Sequence, residues 1–282
     1  MTGDCIGPES EAFFLPGNKG DLFSLYYPPS TAAPARGGVL LFPAFAEEMN
    51  RTRHQVSLQA RRLAKLGYGV LSVDLHGTGD SQGDFGDADW ELWAEDMLTA
   101  LRWLMERAGQ PLSLLGVRSG CLLALEVLRR QNLSPVDKIV FWQPVVSGEN
   151  FMNQFLRLRM AADLVAAGEG IGTKETKAML QAGESVEIAG YRLSPALYQS
   201  LVAQDFNRHA GLDTGLIHWL ETVPAPERPI GMASRRVIES EAWRERVRLY
   251  RITGEPFWAT PEISIVPALL DQTSEIFGGG DG

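Results

Sequence analysis

The stretch of this chain that most constrains its fold is residues 112–125, LSLLGVRSGCLLAL. An apolar run opens it, Gly116 and Gly120 flank its centre, and a second apolar run closes it. This order predicts a buried strand, a sharp turn and a buried helix, because small residues two before and two after the tip permit the strained geometry of such a turn. With this spacing the tip is Arg118, whose side chain is expected to project beyond the strand.

Strands and helices alternate on both sides of this turn. Short apolar runs, typical of strands covered on both faces, occur at residues 39–42, 69–73 and 139–142, with apolar residues at helical spacing between them. The alternation predicts an α/β fold in which a mostly parallel central sheet carries helices on both faces. We further expect a hairpin of residues 11–15 and 21–27, helices from about residue 50 to 67, from 87 or 89 onward and over 234–246, and strands at 214–220 and 247–252.

Residues 145–207 interrupt this alternation with a mixture of apolar, glycine and polar segments. We expect a mainly helical cap here, since an insertion after the carboxyl end of a strand overhangs the ligand crevice of a parallel sheet. The predicted organisation is a core of residues 1–144 and 208–277, a cap of residues 145–207 and a disordered, glycine-rich tail of residues 278–282.

The composition excludes several classes of function. A net charge of −9 disfavours nucleic acid as a partner, because phosphate binding needs a basic face. No apolar run approaches the roughly 18–20 residues of a transmembrane segment, and the acidic N-terminus lacks the basic flank of a signal peptide, so we expect a cytoplasmic protein. Two distant cysteines do not suggest a metal site, and the glycines at 77 and 79 do not form a nucleotide loop, so no metal or cofactor is expected.

The turn DLHGTGDS at residues 74–81, the strand–turn–helix and the insertion together resemble the α/β-hydrolase superfamily. A narrower likeness is carried by FPAFAEEMNRTRHQVSLQARRLAKLGYGVLSVDLHGTGDSQGDF and LGVRSGCLLAL, which are similar to the exosortase A system-associated hydrolases. This family is also called hydrolase 2 of the PEP-CTERM protein-sorting and exopolysaccharide loci of Gram-negative bacteria. It shares the FAEEMN segment, here residues 45–50, and an Arg at the tip, followed by Leu where this chain has Ser119. The resemblance implies an α/β-hydrolase fold, ester or thioester hydrolysis of a small-molecule substrate and a partner encoded in the same locus.

In this fold, acyl transfer needs a nucleophile at the tip, an acid after a later strand and a His after the last strand. Arg118 stays protonated and is not a nucleophile. Ser119 is the candidate nucleophile as the hydroxyl nearest the tip, although a turn centred on it would have the bulkier Val117 and Cys121 at its flanks. Glu221 is the candidate acid, and no His follows residue 218.

A partly buried Arg118 needs a carboxylate partner, because an unpaired buried charge is costly. Glu47, Glu48 and Glu221 are the candidates, and Phe45 and His76 complete the predicted binding residues. Such an ion pair could be a structural plug, or it could position Arg118 to grip a carboxylate or phosphate. Two hypotheses therefore remain: a hydrolase with an unconventional site, or a catalytically degenerate member that binds an anionic ligand or a partner protein.

Overall fold

A computed structural model describes residues 10–30, 35–131, 136–167, 172–260 and 262–279, with the backbone alone described for residues 159–167. The strands are β1 (Glu11–Pro16), β2 (Asp21–Tyr27), β3 (Gly38–Phe42), β4 (Gly69–Val73), β5 (Leu112–Val117), β6 (Lys138–Trp142), β7 (Val186–Ile188), β8 (Tyr191–Leu193), β9 (Ile217–Val223) and β10 (Val247–Thr253). The helices are α1 (Glu47–Lys65), α2 (Trp90–Ala108), α3 (Gly120–Gln131), α4 (Gly148–Ala167), α5 (Thr173–Gln181), α6 (Pro195–Val202), α7 (Met232–Ile238) and α8 (Pro267–Gly278). Short 3-10 turns occupy Phe85–Asp87 and Phe206–His209.

The central sheet has eight strands in the order β1-β2-β4-β3-β5-β6-β9-β10. Only the β1–β2 and β2–β4 pairs are antiparallel, and every other neighbouring pair is parallel. β3 and β5 are entirely buried, as their apolar sequences predict, because helices cover the sheet on both faces. The predicted α/β architecture, including the opening hairpin, is therefore confirmed.

Buried apolar side chains form two layers, one on each face of the sheet. The larger layer lies between the sheet and α2 and α3, and it includes Leu40, Met97 and Leu122. The smaller layer lies between the sheet and α1 and α8, and it includes Leu41 and Leu63. Since neighbouring residues of β3 serve opposite layers, the alternation of side chains along a strand holds both layers to one sheet.

The segment between β6 and β9 contains α4, α5 and α6 together with a small antiparallel hairpin of β7 and β8. The β7–β8 hairpin was not expected in a segment predicted to be mainly helical. Its strands have three residues each, which is too short for a periodic pattern to be recognised in the sequence.

Several predicted boundaries are wrong. α1 begins at Glu47 rather than near Asn50, because its first turn carries two acids that favour the positive end of the helix. α7 ends at Ile238 rather than Arg246, since the Ser240 hydroxyl bonds the Val237 carbonyl 2.6 Å away and the chain continues as turns. Of the tail expected to be disordered, Gly278 ends α8 and Gly279 caps it at φ 94°, while residues 280–282 lie outside the described residues.

Candidate functional site

The sharp turn between β5 and α3 has Arg118 at its tip, with φ at 56°. Cβ atoms built on the two flanking glycines would lie 2.9 Å from Cys121 Cα for Gly116 and 2.3 Å from the Phe42 carbonyl oxygen for Gly120. Both positions therefore require glycine if α3 is to pack this closely on β5 and β3. The main chain of Arg118 is fixed as well, because its N–H donates to the Trp142 carbonyl at 2.9 Å.

Arg118 forms an ion pair with Glu48 in the first turn of α1. Arg118 Nη2 lies 2.9 Å from Glu48 Oε1, and Nε lies 3.2 Å from both carboxylate oxygens. The side chains are 11% and 21% exposed. Burial raises the pKa of the Glu48 carboxyl, and the adjacent guanidinium of Arg118 only partly offsets this effect. Arg118 Nη1 also donates to the Gln143 carbonyl at 3.1 Å.

Two aromatic rings lie against the guanidinium of Arg118. Its Cζ is 4.8 Å from the centre of the Trp258 ring and 5.9 Å from the centre of the Phe151 ring. Both distances are within the range of cation–π attraction. Trp258 comes from the loop after β10 and Phe151 from α4, so the core and the segment between β6 and β9 both contribute to this site.

The ion pair lies in a cleft of about 300 Å³, whose size suits a small molecule. The remaining lining is mostly apolar and aromatic, with Phe45 from the loop after β3 and Phe155 and Leu158 from α4. The cleft also contains Glu47 and Arg51, so its two acids and two arginines balance in charge. It can therefore enclose an apolar body and offer hydrogen bonds to a polar group at its base.

Comparison with known proteins identifies the family. The family model described as serine aminopeptidase, S33, matches residues 33–195, more than half of the 282 residues. The chain belongs to this α/β-hydrolase family. No curated protein sequence matches it significantly.

Several solved structures have the same fold as this chain. Est1E from Butyrivibrio proteoclasticus with bound ferulic acid is 14% identical, with a TM-score of 0.64 over 95% of this chain and 96% of that one. A soluble variant of monoglyceride lipase from Saccharomyces cerevisiae in complex with a substrate analogue is 13% identical, with a TM-score of 0.60 over 97% and 98%. An α/β serine hydrolase homologue from Coxiella burnetii is 14% identical, with a TM-score of 0.57 over 99% and 100%. At these identities the likeness concerns the fold.

Ser119 does not line the cleft, although the preceding Arg118 does. Ser119 is buried at 4% exposure and lines a void of about 10 Å³ shared with Trp93 and Leu123. The void is too small for any ligand larger than a water molecule. A substrate in the cleft would therefore meet Arg118 rather than the Ser119 hydroxyl, and this position does not support the expectation that Ser119 attacks it.

Glu221 is already engaged as a structural acceptor. Expected after the strand, it lies within β9, where Trp219 Nε1 donates to Oε2 at 2.9 Å and the Gly231 N–H donates to Oε1 at 2.8 Å. The carboxyl is 2% exposed and does not line the cleft. Of the three acids proposed to pair with Arg118, Glu48 does so, whereas Glu47 accepts hydrogen bonds from Asn50 and Tyr191 instead.

His76 lies in the core rather than at the mouth of the cleft. It is 4% exposed, packs on Gly83, and its main chain is held by Asp96, whose Oδ2 accepts the His76 N–H at 2.9 Å. Burial lowers the pKa of the His76 ring and raises the pKa of the Asp96 carboxyl to about 6. Cys121 is likewise a buried core residue, and burial raises the pKa of its thiol.

Sequence reasoning missed Trp258, as it missed Phe151, Phe155 and Leu158 of the same cleft. Trp258 lies in the loop after the last strand of the sheet, where hydrolases of this fold carry the catalytic His. The sequence offered one signal, since a Trp stands in a segment otherwise expected to supply a histidine. Across the described ranges no group of three or more His, Cys, Asp or Glu could hold a metal ion. No described helix is long and apolar enough to cross a membrane.

Proposed function

We propose that this protein is a hydrolase 2 member of the exosortase A system whose cleft binds an anionic ligand through Arg118 without serine chemistry. The observation that carries the proposal is the ion pair of Arg118 and Glu48 at the tip of the turn, covered by Trp258. A guanidinium cannot attack a carbonyl, and an indole cannot act as the general base. Residues 145–207 form the cap of the cleft, and the protein acts in the cytoplasm.

The ligand is a carboxylate or phosphate attached to an apolar or aromatic body. Five aromatic or large apolar side chains line the cleft and match such a body, namely Phe45, Phe151, Phe155, Leu158 and Trp258. Arg118 has five N–H donors, and hydrogen bonds to Glu48 and Gln143, its acceptors among the described residues, leave two for an incoming anion.

Glu48 competes with this anion for Arg118. Because burial disfavours its ionised form, Glu48 takes up a proton more readily than an exposed carboxyl does. Protonated Glu48 no longer neutralises Arg118, so anion binding is coupled to proton uptake. Affinity should then rise as the pH falls through the raised pKa of Glu48.

Calorimetric titration with ferulate tests the binding function, since this molecule joins an aromatic ring to a carboxylate and is the ligand of the similar Est1E. Arg118→Met should weaken binding at least about 10-fold, the value of one charge-assisted hydrogen bond. The matched control is Arg157→Met, an exposed arginine on α4 that does not line the cleft. Equal affinity of the Arg118→Met variant and the wild type would refute the role of Arg118.

The second candidate function is ester or thioester hydrolysis, favoured by membership of a family of serine hydrolases. It assigns the nucleophile to Ser119 and the acid to Glu221. Incubation with a fluorophosphonate, followed by mass spectrometry of the intact protein, separates the two candidates. A single adduct that Ser119→Ala abolishes would establish the hydrolase, whereas folded protein without an adduct supports ligand binding. The exosortase association is checked separately by whether the gene lies within an exosortase locus.

A further inference from the structure

A second and larger cavity, of about 390 Å³, lies between α1 and the sheet. We call it the α1 groove, and we define it by Phe23, Leu25, Met49, Val56 and Ser72, which belong to β2, α1 and β4. Among the described residues, none that lines the cleft of Arg118 also lines this groove. The two cavities can therefore be tested independently.

The floor of the α1 groove follows from the register of the sheet. Leu25 pairs with Ser72, and Ser72 pairs with Leu41, so these three side chains point towards α1 in one row across the strands. Ser72 has a small side chain, which leaves space beneath the first half of α1. The second half of the helix is tightly packed, since Ala60, Leu63 and Ala64 are all buried.

The α1 groove is mostly apolar, with the hydroxyls of Tyr27 and Ser57 hydrogen-bonded to each other at one end and charged side chains at the other. Along β2 it extends from Phe23 to Tyr27, a span of about 13 Å at the usual rise of an extended chain. Tyr27 pairs with Val70 at the beginning of β4, and Ser24 pairs with Val73 at the end of β4. The Phe23 end is therefore the end at which Asp74 and Arg53 lie.

Arg53 provides unused hydrogen-bond donors at this polar end. Its Nη2 lies 3.0 Å and 3.1 Å from the two oxygens of Asp74, and its side chain is 41% exposed. Neither Nε nor Nη1 of Arg53 has an acceptor among the residues that the structure describes. The exposed His54 follows and lines the same groove. The polar end thus offers N–H donors to an anion, while the walls offer an apolar channel.

We propose that the α1 groove binds one molecule of a single-chain amphiphile, with its chain along Phe23, Leu25 and Val56 and its carboxylate or phosphate at Arg53. A groove of limited length favours a medium-length alkyl chain, and the guanidinium of Arg53 favours an anionic head group. A flat contact with a second copy of the chain would not need this depth.

Titration calorimetry with dodecanoate, and with dodecanol as its neutral counterpart, tests the proposal. Dodecanol should bind at least 10-fold more weakly than dodecanoate, and Arg53→Gln should lower dodecanoate affinity by a similar factor. Ser72→Phe should abolish binding by filling the channel, and Val56→Gln on the opposite wall replaces it if the Phe variant does not fold. Because the cleft also suits a carboxylate on an apolar body, the comparison variant is Trp258→Ala, which alters the cleft alone and should keep the dodecanoate binding event that Ser72→Phe removes.

Three results would overturn the proposal. The first is no dodecanoate binding by the wild-type protein. This result would overturn the proposal even if the protein binds anionic vesicles, or if it forms a dimer that Ser72→Phe disrupts, because the groove would then have a different occupant. The second is binding that Trp258→Ala abolishes and Ser72→Phe does not, which would place the amphiphile in the cleft. The third is equal affinity for dodecanoate and dodecanol, which would remove Arg53 from the site.

Discussion

Replacing Arg118 by Met should destabilise the protein in a pH-dependent way. The substitution keeps an apolar stem against Trp258 but leaves the Glu48 carboxylate without its guanidinium. Removing one partner of a buried ion pair costs about 3–5 kcal/mol. Because Glu48 is 21% exposed, water offsets part of this cost, and we expect about 3 kcal/mol at neutral pH.

The sign of the pH dependence follows from the pKa of Glu48. Burial already raises this pKa in the folded protein, and loss of Arg118 raises it further. A carboxyl with a raised folded pKa binds more protons in the folded state than in the unfolded state, so the free energy of unfolding falls as the pH rises. This fall in the free energy of unfolding begins near the ordinary carboxyl pKa of 4.5 and ends above the raised pKa of Glu48 in the folded variant. The variant should therefore approach wild-type stability at about pH 5 and lose most at about pH 8.

Urea denaturation followed by tryptophan fluorescence at both pH values measures this effect. Adding Glu48→Gln to Arg118→Met removes the unpaired charge and should restore most of the stability lost at the higher pH. Each single variant and the double variant together form a double-mutant cycle. An equal loss at both pH values, or a double variant no more stable than Arg118→Met, would show that the carboxylate of Glu48 is not the source of the cost.

Three further predictions concern other parts of the molecule. Burial raises the pKa of the Asp96 carboxyl to about 6, so the free energy of unfolding of the wild type should decline between about pH 4 and pH 6. Asp96→Asn should remove this decline and raise the free energy of unfolding above pH 7 by up to about 3 kcal/mol, which urea denaturation across this range checks. Gly120→Ala should prevent normal folding, since its Cβ would lie 2.3 Å from a main-chain oxygen, whereas Gly211→Ala, with open space around it, should melt near the wild type; circular dichroism compares the two. Calorimetry across the same pH range should find ferulate affinity rising as the pH falls, and Glu48→Gln should remove that dependence.

The strand–turn–helix around Arg118 was predictable because its information is local. Two glycines at fixed spacing, with apolar runs on either side, specify a strained turn whatever lies elsewhere in the chain. The alternation of apolar runs extended this prediction to the sheet. The resemblance to hydrolases indicated after which strands a catalytic acid and a catalytic histidine would be expected.

The partner of Arg118 could not be selected from the sequence, because the choice depends on where α1 begins. A predicted start near Asn50 left Glu47 and Glu48 together in a loop, with equal access to Arg118. In the structure both acids belong to the first helical turn, where successive side chains point about 100° apart. Only Glu48 then faces the guanidinium. Trp258 was missed for a related reason, since contact between distant loops depends on the whole sheet order.

The main-chain conformation of Arg118 bears on whether this residue is a structural plug, which only fills the place of a nucleophile, or a grip, which binds the anionic group of a ligand. A positive φ at a residue other than glycine costs on the order of 1–3 kcal/mol, and a glycine at this position would avoid that cost. A plug that only filled the space of a lost nucleophile would gain nothing from the strained turn. The strain does project the guanidinium into a cleft of about 300 Å³ instead of the adjacent core. Both interpretations predict that Arg118→Met lowers stability, so stability cannot separate them, whereas a loss of ferulate binding follows from the grip alone.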